Sequence, residues 1–450
     1  MDKILNSPDL ANQRFDLWKF ISSNQIGLST LSLVSIAFLV YLPVFSHQFQ
    51  MEWDDQWVAI NVYTENGFKG YNLWAILTEF YHGQYAPINQ LSYTLLYSAF
   101  GYNPFWFHAL GVTLHISNVV LVYFLIRKLL IQTDNFKATS VQRISFVTAL
   151  IMAVHPFLVE PVAWVAASKI LIYSFFYFIA LSYYLSYTQS KSLKHFMLVL
   201  LFFLLSFGAK EQAVTLPVCA LLFDYAVGRS FKSKWLWIEK IPLFLMSFLF
   251  GMITLLSQGA DSVGLLSEIP QYPFYQNLIF ASYSITEYLV KCLVPVKLSY
   301  LYIFPNDIGQ PVPLRFWMYP VIVVLITTTL WNFWKQRWIF FSISFFIIHL
   351  GVALHIIPLS RYAIVADRYA YVASIGIFFL LAYFLDKILE SRTYPKVSIA
   401  ISFIYILVLG LYANQHSKIW HDSDLLKKEI QDQLEKRNKF QNKTHQDGIK

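Results

Sequence analysis

Apolar runs of about 20 residues, separated by short polar segments, repeat along almost the whole chain. A run of this length forms an α-helix that crosses the ~30 Å hydrocarbon core of a bilayer. The pattern therefore predicts an all-α, polytopic membrane protein with about eleven transmembrane helices. The predicted spans are residues 26–45, 105–126, 144–162, 170–187, 193–207, 213–227, 241–256, 316–333, 338–357, 371–389 and 397–412.

Composition agrees with this interpretation and excludes an ordinary soluble domain. The chain is 57% hydrophobic and 13% charged, with a mean hydropathy of +0.49, whereas soluble domains contain roughly 25% charged residues. The formal charge of +8 comes from Lys and Arg clusters between the spans, which mark cytoplasmic segments under the positive-inside rule. The charge therefore indicates membrane topology and no nucleic-acid partner.

The basic clusters all fall on one side of the predicted bilayer. This places the N-terminus in the cytoplasm and, with an odd number of crossings, the C-terminus outside it. Residues 278–294 are also apolar, but a further crossing there would place Lys335 and Arg337 outside the cytoplasm. We therefore predict that this segment is re-entrant or interfacial.

Polarity divides the chain into three parts. Residues 1–25 form a cytoplasmic N-terminal segment, residues 26–413 form the transmembrane domain, and residues 414–450 form a polar tail, with a short helix followed by disorder. Within the transmembrane domain, the first outer loop, residues 46–104, is too long for a simple connector. The apolar spacing of residues 89–100 predicts a helix that lies on the membrane surface.

The first outer loop is the most acidic part of the protein. Adjacent carboxylates beside a bilayer, such as Asp54 and Asp55, indicate that something is bound or deprotonated there. Either residue could act as a general base, and the pair could bind Mg²⁺ or Mn²⁺, which prefer carboxylate oxygens. The alternative is that these side chains cap a surface helix.

Ordered sequence blocks along the chain resemble one family of membrane enzymes. The blocks are Trp53-Asp54-Asp55, Tyr85-Ala86-Pro87, Phe107-His108, Leu114-His115-Ile116-Ser117-Asn118, His155-Pro156, Glu160-Pro161-Val162-Ala163-Trp164, Lys210-Glu211-Gln212, Ala366-Asp367-Arg368-Tyr369 and Ile419-Trp420-His421-Asp422. In this order they are similar to the polyprenyl-phosphate-sugar-dependent GT-C glycosyltransferases. The most similar branch is that of the transmembrane and tetratricopeptide O-mannosyltransferases with their bacterial relatives.

The resemblance implies a GT-C fold, a dolichyl- or undecaprenyl-phosphate sugar as donor, a protein Ser/Thr hydroxyl as acceptor, and a catalytic acidic residue in the first outer loop. The chain departs from the family pattern in two places. An Arg-Lys-Asp run that usually follows Trp164 is reduced here to Lys169, and the tetratricopeptide repeats are absent from the sequence. A glycolipid or a cell-wall polymer is therefore an alternative acceptor.

Transfer from a lipid phosphate also requires positive charge near the leaving phosphate. Arg368 could bind the phosphate with two parallel hydrogen bonds, or it could pair with Asp367 and anchor the helix at the interface. Further candidates for donor phosphate binding are Arg361, Lys210 and Lys169.

The candidate substrate-binding residues lie at the outer ends of predicted spans or in the matching blocks: Glu211, Glu160, His155, Trp164, Tyr85 and His108. Glu160 with Trp164 one helical turn later suits a carboxylate beside a sugar-stacking ring, and equally an interfacial aromatic belt. Glu211 could contact sugar or simply neutralise Lys210. The histidines lack regular metal-ligand spacing and are typical of hydrogen-bonded structural residues.

Together these observations predict an integral membrane glycosyltransferase of hexosyl or mannosyl type with its site outside the cytoplasm, in a bacterial inner membrane rather than the endoplasmic reticulum. A lipid or solute transporter is an alternative, although the sequence has no internal repeat of the kind common in transporters. A catalytically inactive assembly partner is a third, suggested by the altered run after Trp164.

Overall fold

The structure is a computed structural model that describes residues 8–133, 135–260, 272–299, 301–354, 363–391, 395–428 and 430–431. Within these ranges the fold is helical, and the strand-like pairings are two isolated bridges, Tyr81–Gln84 and Tyr302–Val365. The predicted all-α class is confirmed.

The first loop holds four short helices, as its length suggested. Helix α1, Pro8–Val40, precedes the loop. The helices of the loop are α2 Asp55–Val58, α3 Val62–Glu65, α4 Gly70–Thr78 and α5 Pro87–Phe100. Helix α5 confirms the helix predicted over residues 89–100. It begins two residues earlier because Pro87 occupies its first turn, where the missing N–H costs nothing.

The helices after the loop differ widely in length. Their bounds are α6 Pro104–Ile131, α7 Ala138–Val154, α8 Val159–Ala163, α9 Lys169–Ser190, α10 Leu193–Ala209, α11 Leu216–Ala226, α12 Lys234–Ile238, α13 Ile241–Gly259, α14 Phe274–Leu293, α15 Met318–Trp331, α16 Arg337–Gly351, α17 Ala370–Ser391 and α18 Pro395–Ser417. Short 3₁₀ turns occupy Leu42–Ser46, Pro156–Leu158, Val165–Ala167, Glu211–Thr215, Leu314–Trp317, Asp367–Tyr369 and Lys418–Trp420.

Several helices have the length and composition of membrane spans, as expected of an integral multi-pass membrane protein. In the described residues six segments qualify, or seven if α7 and Pro156–Ala163, which are bent by 63°, form one span. Apolar helices of fewer residues lie at Asn24–Val40, Leu193–Ala209 and Arg337–Gly351. The predicted count of eleven is not confirmed. Helix α11, for example, has 11 residues, and at 1.5 Å per residue it is about half as long as the hydrocarbon core is thick.

The apolar segment 278–294 lies on α14, which is continuous over 20 residues. Helix α14 is not among the described segments that qualify as membrane spans, and its re-entrant or interfacial position stays a prediction. The end of predicted span 338–357 lies outside the described residues.

The core lies where α6, α7, α9, α16 and α17 pack together. Gly376 on α17 allows α16 to approach closely, because a Cβ atom there would lie 2.4 Å from the Ser342 carbonyl oxygen. This packing fixes the position of the N-terminal end of α17.

A buried ionic network holds one end of the bundle, here called the basic end. Asp224 on α11 has no exposed surface. Its carboxylate accepts hydrogen bonds from Arg229 at 2.8 Å and from Tyr184 on α9 at 2.6 Å, and it pairs with Lys240 at 2.7 Å. Glu239 contacts both cations. The network therefore joins α9, α11 and the start of α13.

We expect Asp224→Asn to lower the free energy of unfolding by about 3–5 kcal/mol, because it removes a buried carboxylate from Lys240, which is 1% exposed. Denaturant titration of the protein in detergent measures the change. The control is Glu390→Gln, which removes the solvent-accessible pairs with Lys137 and Lys387 and should cost about 0–1 kcal/mol. Equal losses in the two variants would contradict the assigned importance of the network.

At the opposite end, here called the site end, the C-terminal end of α18 is tied to the first loop. The Gln50 side chain donates a hydrogen bond to the Trp420 carbonyl at 2.8 Å. The Gln48 N–H donates to the His421 carbonyl at 2.8 Å. The beginning of the loop is thus held by two hydrogen bonds to the segment that follows α18.

Candidate functional site

Asp55, at the start of α2, has a fully buried carboxylate. Its Oδ1 accepts a hydrogen bond from the Ala166 N–H at 2.8 Å, and its Oδ2 accepts one from the Gln50 N–H at 2.7 Å. Ala166 lies just before α9, so the carboxylate ties the first loop to the helix bundle. Burial raises the pKa of Asp55 to about 7, although the two N–H donors act in the opposite direction.

The raised pKa of Asp55 predicts a pH-dependent contribution to stability. A carboxyl group whose pKa is about 7 in the folded protein and about 4 in the unfolded chain binds its proton more tightly when folded. Its contribution is therefore full below about pH 4 and is lost as the pH rises through 7. We expect the thermal midpoint in nanodiscs to fall more with rising pH in the wild type than in Asp55→Asn.

The pH dependence of the wild type must be compared with that of Asp55→Asn, because another buried group changes stability with pH in the opposite direction. Burial, with smaller effects of His108 and His421, lowers the pKa of His47 to about 3, so its contribution is lost as the pH falls below about 6.5. That contribution is the same in the wild type and the variant. Identical pH profiles of the two proteins would contradict the assignment to Asp55.

Asp54 differs from its neighbour in conformation and exposure. Its φ of +85° lies in the left-handed region, which Asp and Asn tolerate better than most residues and which is common at functional sites. The side chain is partly exposed, and its Oδ1 accepts a hydrogen bond from Trp57 Nε1 at 3.1 Å. Asp54 occupies the N-cap position of α2 without a capping hydrogen bond, so the capping alternative fails. Asp54 is the member of the pair that can face a substrate.

Arg368 lies just before α17, and its salt-bridge partner is Glu160 rather than the adjacent Asp367. Its Nη1 donates to Glu160 Oε1 at 2.6 Å, and its backbone N–H donates to Oε2 at 2.8 Å. The guanidinium also lies 5.5 Å from the Trp164 ring centroid. Glu160 is 3% exposed but Arg368 is 26% exposed. The buried Glu160 carboxylate therefore fixes the Arg368 guanidinium, and part of that guanidinium stays accessible to solvent.

Trp164 connects this cation to the C-terminal end of α18. Its ring stacks on Trp420 with a centroid distance of 5.5 Å and an interplanar angle of 18°. Both rings are buried. The face of Trp164 is therefore used for packing, and its position fixes the surface beneath Arg368.

Lys210 and Glu211 lie at the end of α10. Lys210 Nζ pairs with Glu211 Oε1 at 3.1 Å, and it lies 6.0 Å from the Tyr369 ring centroid. Burial raises the pKa of Glu211, but Lys210 and Lys169 outweigh it, and the net result is a lowered pKa. The two residues neutralise each other in part, and the Glu211 side chain is 46% exposed.

Lys169, the first residue of α9, is the point where these groups meet. Its Nζ donates a hydrogen bond to the Gln84 side chain at 2.8 Å. It interacts electrostatically with four other candidate residues: Lys210, Glu211, Asp54 and Arg368. We call Lys169, Lys210 and Arg368 the cationic cluster. The fold thus brings Lys169 within electrostatic range of two other basic side chains and of the Asp54 carboxylate at the site end.

Other predicted residues lie in packing positions around this place. His155 is fully buried beside Phe378, with ring centroids 4.8 Å apart. His108 is also buried, with its Nε2 3.4 Å from the Gln48 carbonyl oxygen. The Tyr85 hydroxyl donates to the Leu77 carbonyl at 2.8 Å within the loop. Contact of these three residues with a substrate stays a prediction, and Arg361 lies outside the described residues.

Three residues that contact the cluster or its supports were not among the sequence-predicted site residues: Trp57, Gln84 and Trp420. Trp420 lies in one of the matching sequence blocks, and Gln84 directly precedes another. Trp57 follows Asp54 by three residues, the spacing of one helical turn. Their positions beside or within the matching blocks could have marked these residues as candidates, but their contacts depend on tertiary structure.

Asp55 is fully buried and both of its oxygens accept backbone hydrogen bonds, whereas Asp54 is partly exposed. In the described part of the chain, no group of three or more His, Cys, Asp or Glu residues could hold a metal. Dependence on Mg²⁺ or Mn²⁺ stays a prediction.

No protein-family model matches the chain. Two curated relatives match part of it. Human protein O-mannosyl-transferase TMTC1 is 29% identical over 157 residues, which are 32% of this chain and 16% of that protein. The mouse protein of the same name is 34% identical over 110 residues, which are 24% of this chain and 10% of that protein. The chain thus matches a small part of either relative, and the similarity supports a glycosyltransferase-like function.

Proposed function

We propose that this protein is a membrane glycosyltransferase that moves a sugar of hexosyl or mannosyl type from a polyprenyl phosphate to an acceptor hydroxyl. The observation that carries the proposal is the cationic cluster beside the partly exposed Asp54 carboxylate. One group accepts a proton, and the others stabilise a leaving phosphate. The partial similarity to an O-mannosyl-transferase supports the same class of reaction.

In the proposed reaction, the acceptor oxygen forms a bond to the anomeric carbon while its proton moves to Asp54. The bond between that carbon and the phosphate oxygen breaks, and its electron pair stays on the phosphate. The lipid phosphate thereby gains one negative charge, which the cationic cluster stabilises through charge-assisted hydrogen bonds. In this reaction Glu160 holds Arg368 in position, and Glu211, whose side chain is 46% exposed, binds a sugar hydroxyl.

We also propose that the site end faces away from the cytoplasm. The residues of the opposite end include many cations, as cytoplasmic loops do under the positive-inside rule. These are Lys128, Lys137, Arg143, Arg229, Lys240, Arg337 and Lys387. The acceptor hydroxyl would then belong to an extracytoplasmic protein Ser or Thr, or to a glycolipid or cell-wall polymer.

The proposal is tested with purified protein in nanodiscs and radiolabelled dolichyl- and undecaprenyl-phosphate sugars. We expect release or transfer of sugar by the wild type, and at least a tenfold higher donor KM in Lys169→Gln/Lys210→Gln, because two charged phosphate contacts are lost. The matched control is Lys335→Gln, an exposed lysine between α15 and α16, which should behave as the wild type.

The proposal fails if the folded wild-type protein processes none of these donors in the presence of membrane and cell-wall extracts. A transporter or an inactive assembly partner would then account better for the chain. An unchanged donor KM in the double lysine variant would instead contradict the role given to the cationic cluster.

A further inference from the structure

A small open cleft of about 50 Å³ lies in the first loop, beside the candidate site. Residues of α2, α3, α4 and α5 form its walls together with the hairpin Tyr81–Gln84. The hairpin is closed by two backbone hydrogen bonds of 3.0 Å. Short hydrogen-bonded elements therefore form the cleft without help from a ligand.

Aromatic rings form one side of the cleft. Trp57, Tyr63 and Tyr81 all line it and are all partly exposed. The Tyr63 and Tyr81 rings meet edge to face with a centroid distance of 5.2 Å, and Trp57 lies 6.5 Å from Tyr81. His82 also packs on two of these rings, with centroid distances of 4.9 Å to Trp57 and 4.5 Å to Tyr81. These contacts fix the rings, and the part of each side chain that stays exposed faces solvent. Such exposed surface binds the apolar C–H face of a sugar ring by stacking.

Polar atoms in the cleft suit a ligand rich in hydroxyl groups. The Asn89 side chain is 4% exposed and lines the cleft. Its amide group contacts the Tyr93 hydroxyl, whereas its Oδ1 has no hydrogen-bond partner among the described residues. A buried acceptor of this kind is costly unless a donor such as a hydroxyl reaches it.

The charge of the cleft indicates that its ligand is not the donor phosphate. None of the twelve described residues that line the cleft is Lys or Arg. The charged group among them is Glu79, whose Oε2 accepts a hydrogen bond from the Tyr63 hydroxyl at 2.7 Å. The nearest basic group is Lys169, which lies behind the lining residue Gln84. The lining itself therefore offers a carboxylate and no cation, which favours a neutral ligand over an anionic one.

The cleft shares two residues with the candidate site. Trp57 lines the cleft and donates its indole hydrogen bond to Asp54. Gln84 also lines the cleft and accepts a hydrogen bond from Lys169. A molecule that fills the cleft therefore lies next to both the proposed base and the cationic cluster, which is where the acceptor of the proposed reaction must bind.

We infer that this cleft binds a neutral hexopyranose, and that the acceptor is a glycan rather than a protein Ser or Thr. The role of the bound sugar as acceptor rests on the proposed function. Binding of the sugar does not, because it depends only on the residues of the cleft. Trp57, Tyr63 and Tyr81 provide the stacking surface, and Asn89 accepts a hydrogen bond from a sugar hydroxyl.

The first test measures binding without any donor. Saturation-transfer NMR on the protein in nanodiscs uses the methyl glycosides of mannose, glucose, galactose and N-acetylglucosamine, with a Ser/Thr-containing peptide as the competing acceptor class. We expect at least one glycoside to bind, and Tyr81→Ala and Asn89→Ala each to weaken it about tenfold. The matched control is Trp74→Ala, because Trp74 is 71% exposed on α4 and does not line the cleft.

The second test measures transfer and separates the two proposals. If the wild type transfers sugar to a glycoside, the cleft variants should raise the acceptor KM about tenfold with an unchanged donor KM. Transfer to the peptide that is insensitive to Tyr81→Ala and Asn89→Ala would contradict acceptor binding in the cleft and leave the proposed function intact. Glycoside binding that is lost in the cleft variants, without processing of any donor, would overturn the proposed function alone. If none of the four glycosides binds, the cleft is not a hexopyranose site.

Discussion

Replacement of Asp54 by Asn is expected to lower kcat by at least 100-fold, because general-base catalysis contributes about 10²–10⁴ to a rate. Asn tolerates the left-handed backbone of this position and keeps an oxygen that can accept the Trp57 hydrogen bond. The variant should therefore fold normally and bind the donor. Initial rates at saturating donor and acceptor measure the effect, and thermal midpoints verify the fold.

Glu52→Gln is the matched control for this experiment. Glu52 is an exposed carboxylate two residues from Asp54, and it pairs with Lys427. It belongs to no part of the proposed reaction, so its loss should leave kcat within about twofold, as expected for a solvent-exposed pair. If Asp54→Asn keeps more than about a tenth of the wild-type rate, Asp54 is not the general base.

Replacement of Arg368 by Gln is expected to lower kcat/KM for the donor by at least 100-fold, because charged contacts of this kind are worth about 2–5 kcal/mol. It should also lower the thermal midpoint, since Glu160 would stay buried without its cation. Arg368→Lys keeps the charge but loses the planar pair of donors. Its donor use should lie between that of the wild type and that of Arg368→Gln.

The double variant Glu160→Gln/Arg368→Gln separates binding from stability. Removal of both charges should recover most of the thermal midpoint that Arg368→Gln loses, because no unpaired buried charge remains. Donor use should stay low, since the guanidinium is still missing. Recovery of donor use together with stability would show that Arg368 serves only as the partner of Glu160.

The positions of the helices could be predicted from apolar runs, but their lengths could not. Each run marks where a helix lies, and the chain pattern does not say where tertiary packing interrupts it. Helix α7 ends at Val154 because Pro156 cannot continue it, and a bend of 63° follows. Nor does an apolar run distinguish lipid-facing surface from core. Residues 165–190 are 72% buried in their apolar window, whereas residues 314–331 are 6% buried.

The acidic pair in the first loop could be recognised from the sequence, but the roles of its members could not. Asp54 and Asp55 are chemically identical neighbours. Only Asp55 is buried, and its carboxylate accepts a hydrogen bond from Ala166, which is 111 residues away. The pairing of Arg368 with Glu160 spans 208 residues, whereas the ion-pair partner that the sequence suggested was the adjacent Asp367. Long-range partners of this kind are set by how the helices pack, which local patterns do not encode.

The hydrogen bond between Gln50 and Trp420 joins residues 370 positions apart. A ribosome adds about 5–20 residues per second, so roughly 20–75 s pass between synthesis of the first loop and synthesis of this partner. Throughout that interval the nascent loop has no C-terminal segment to hold it. The loop can therefore reach its final packing only after residue 420 has been synthesised, and weakening of this tie should reduce the yield of folded protein before it reduces turnover.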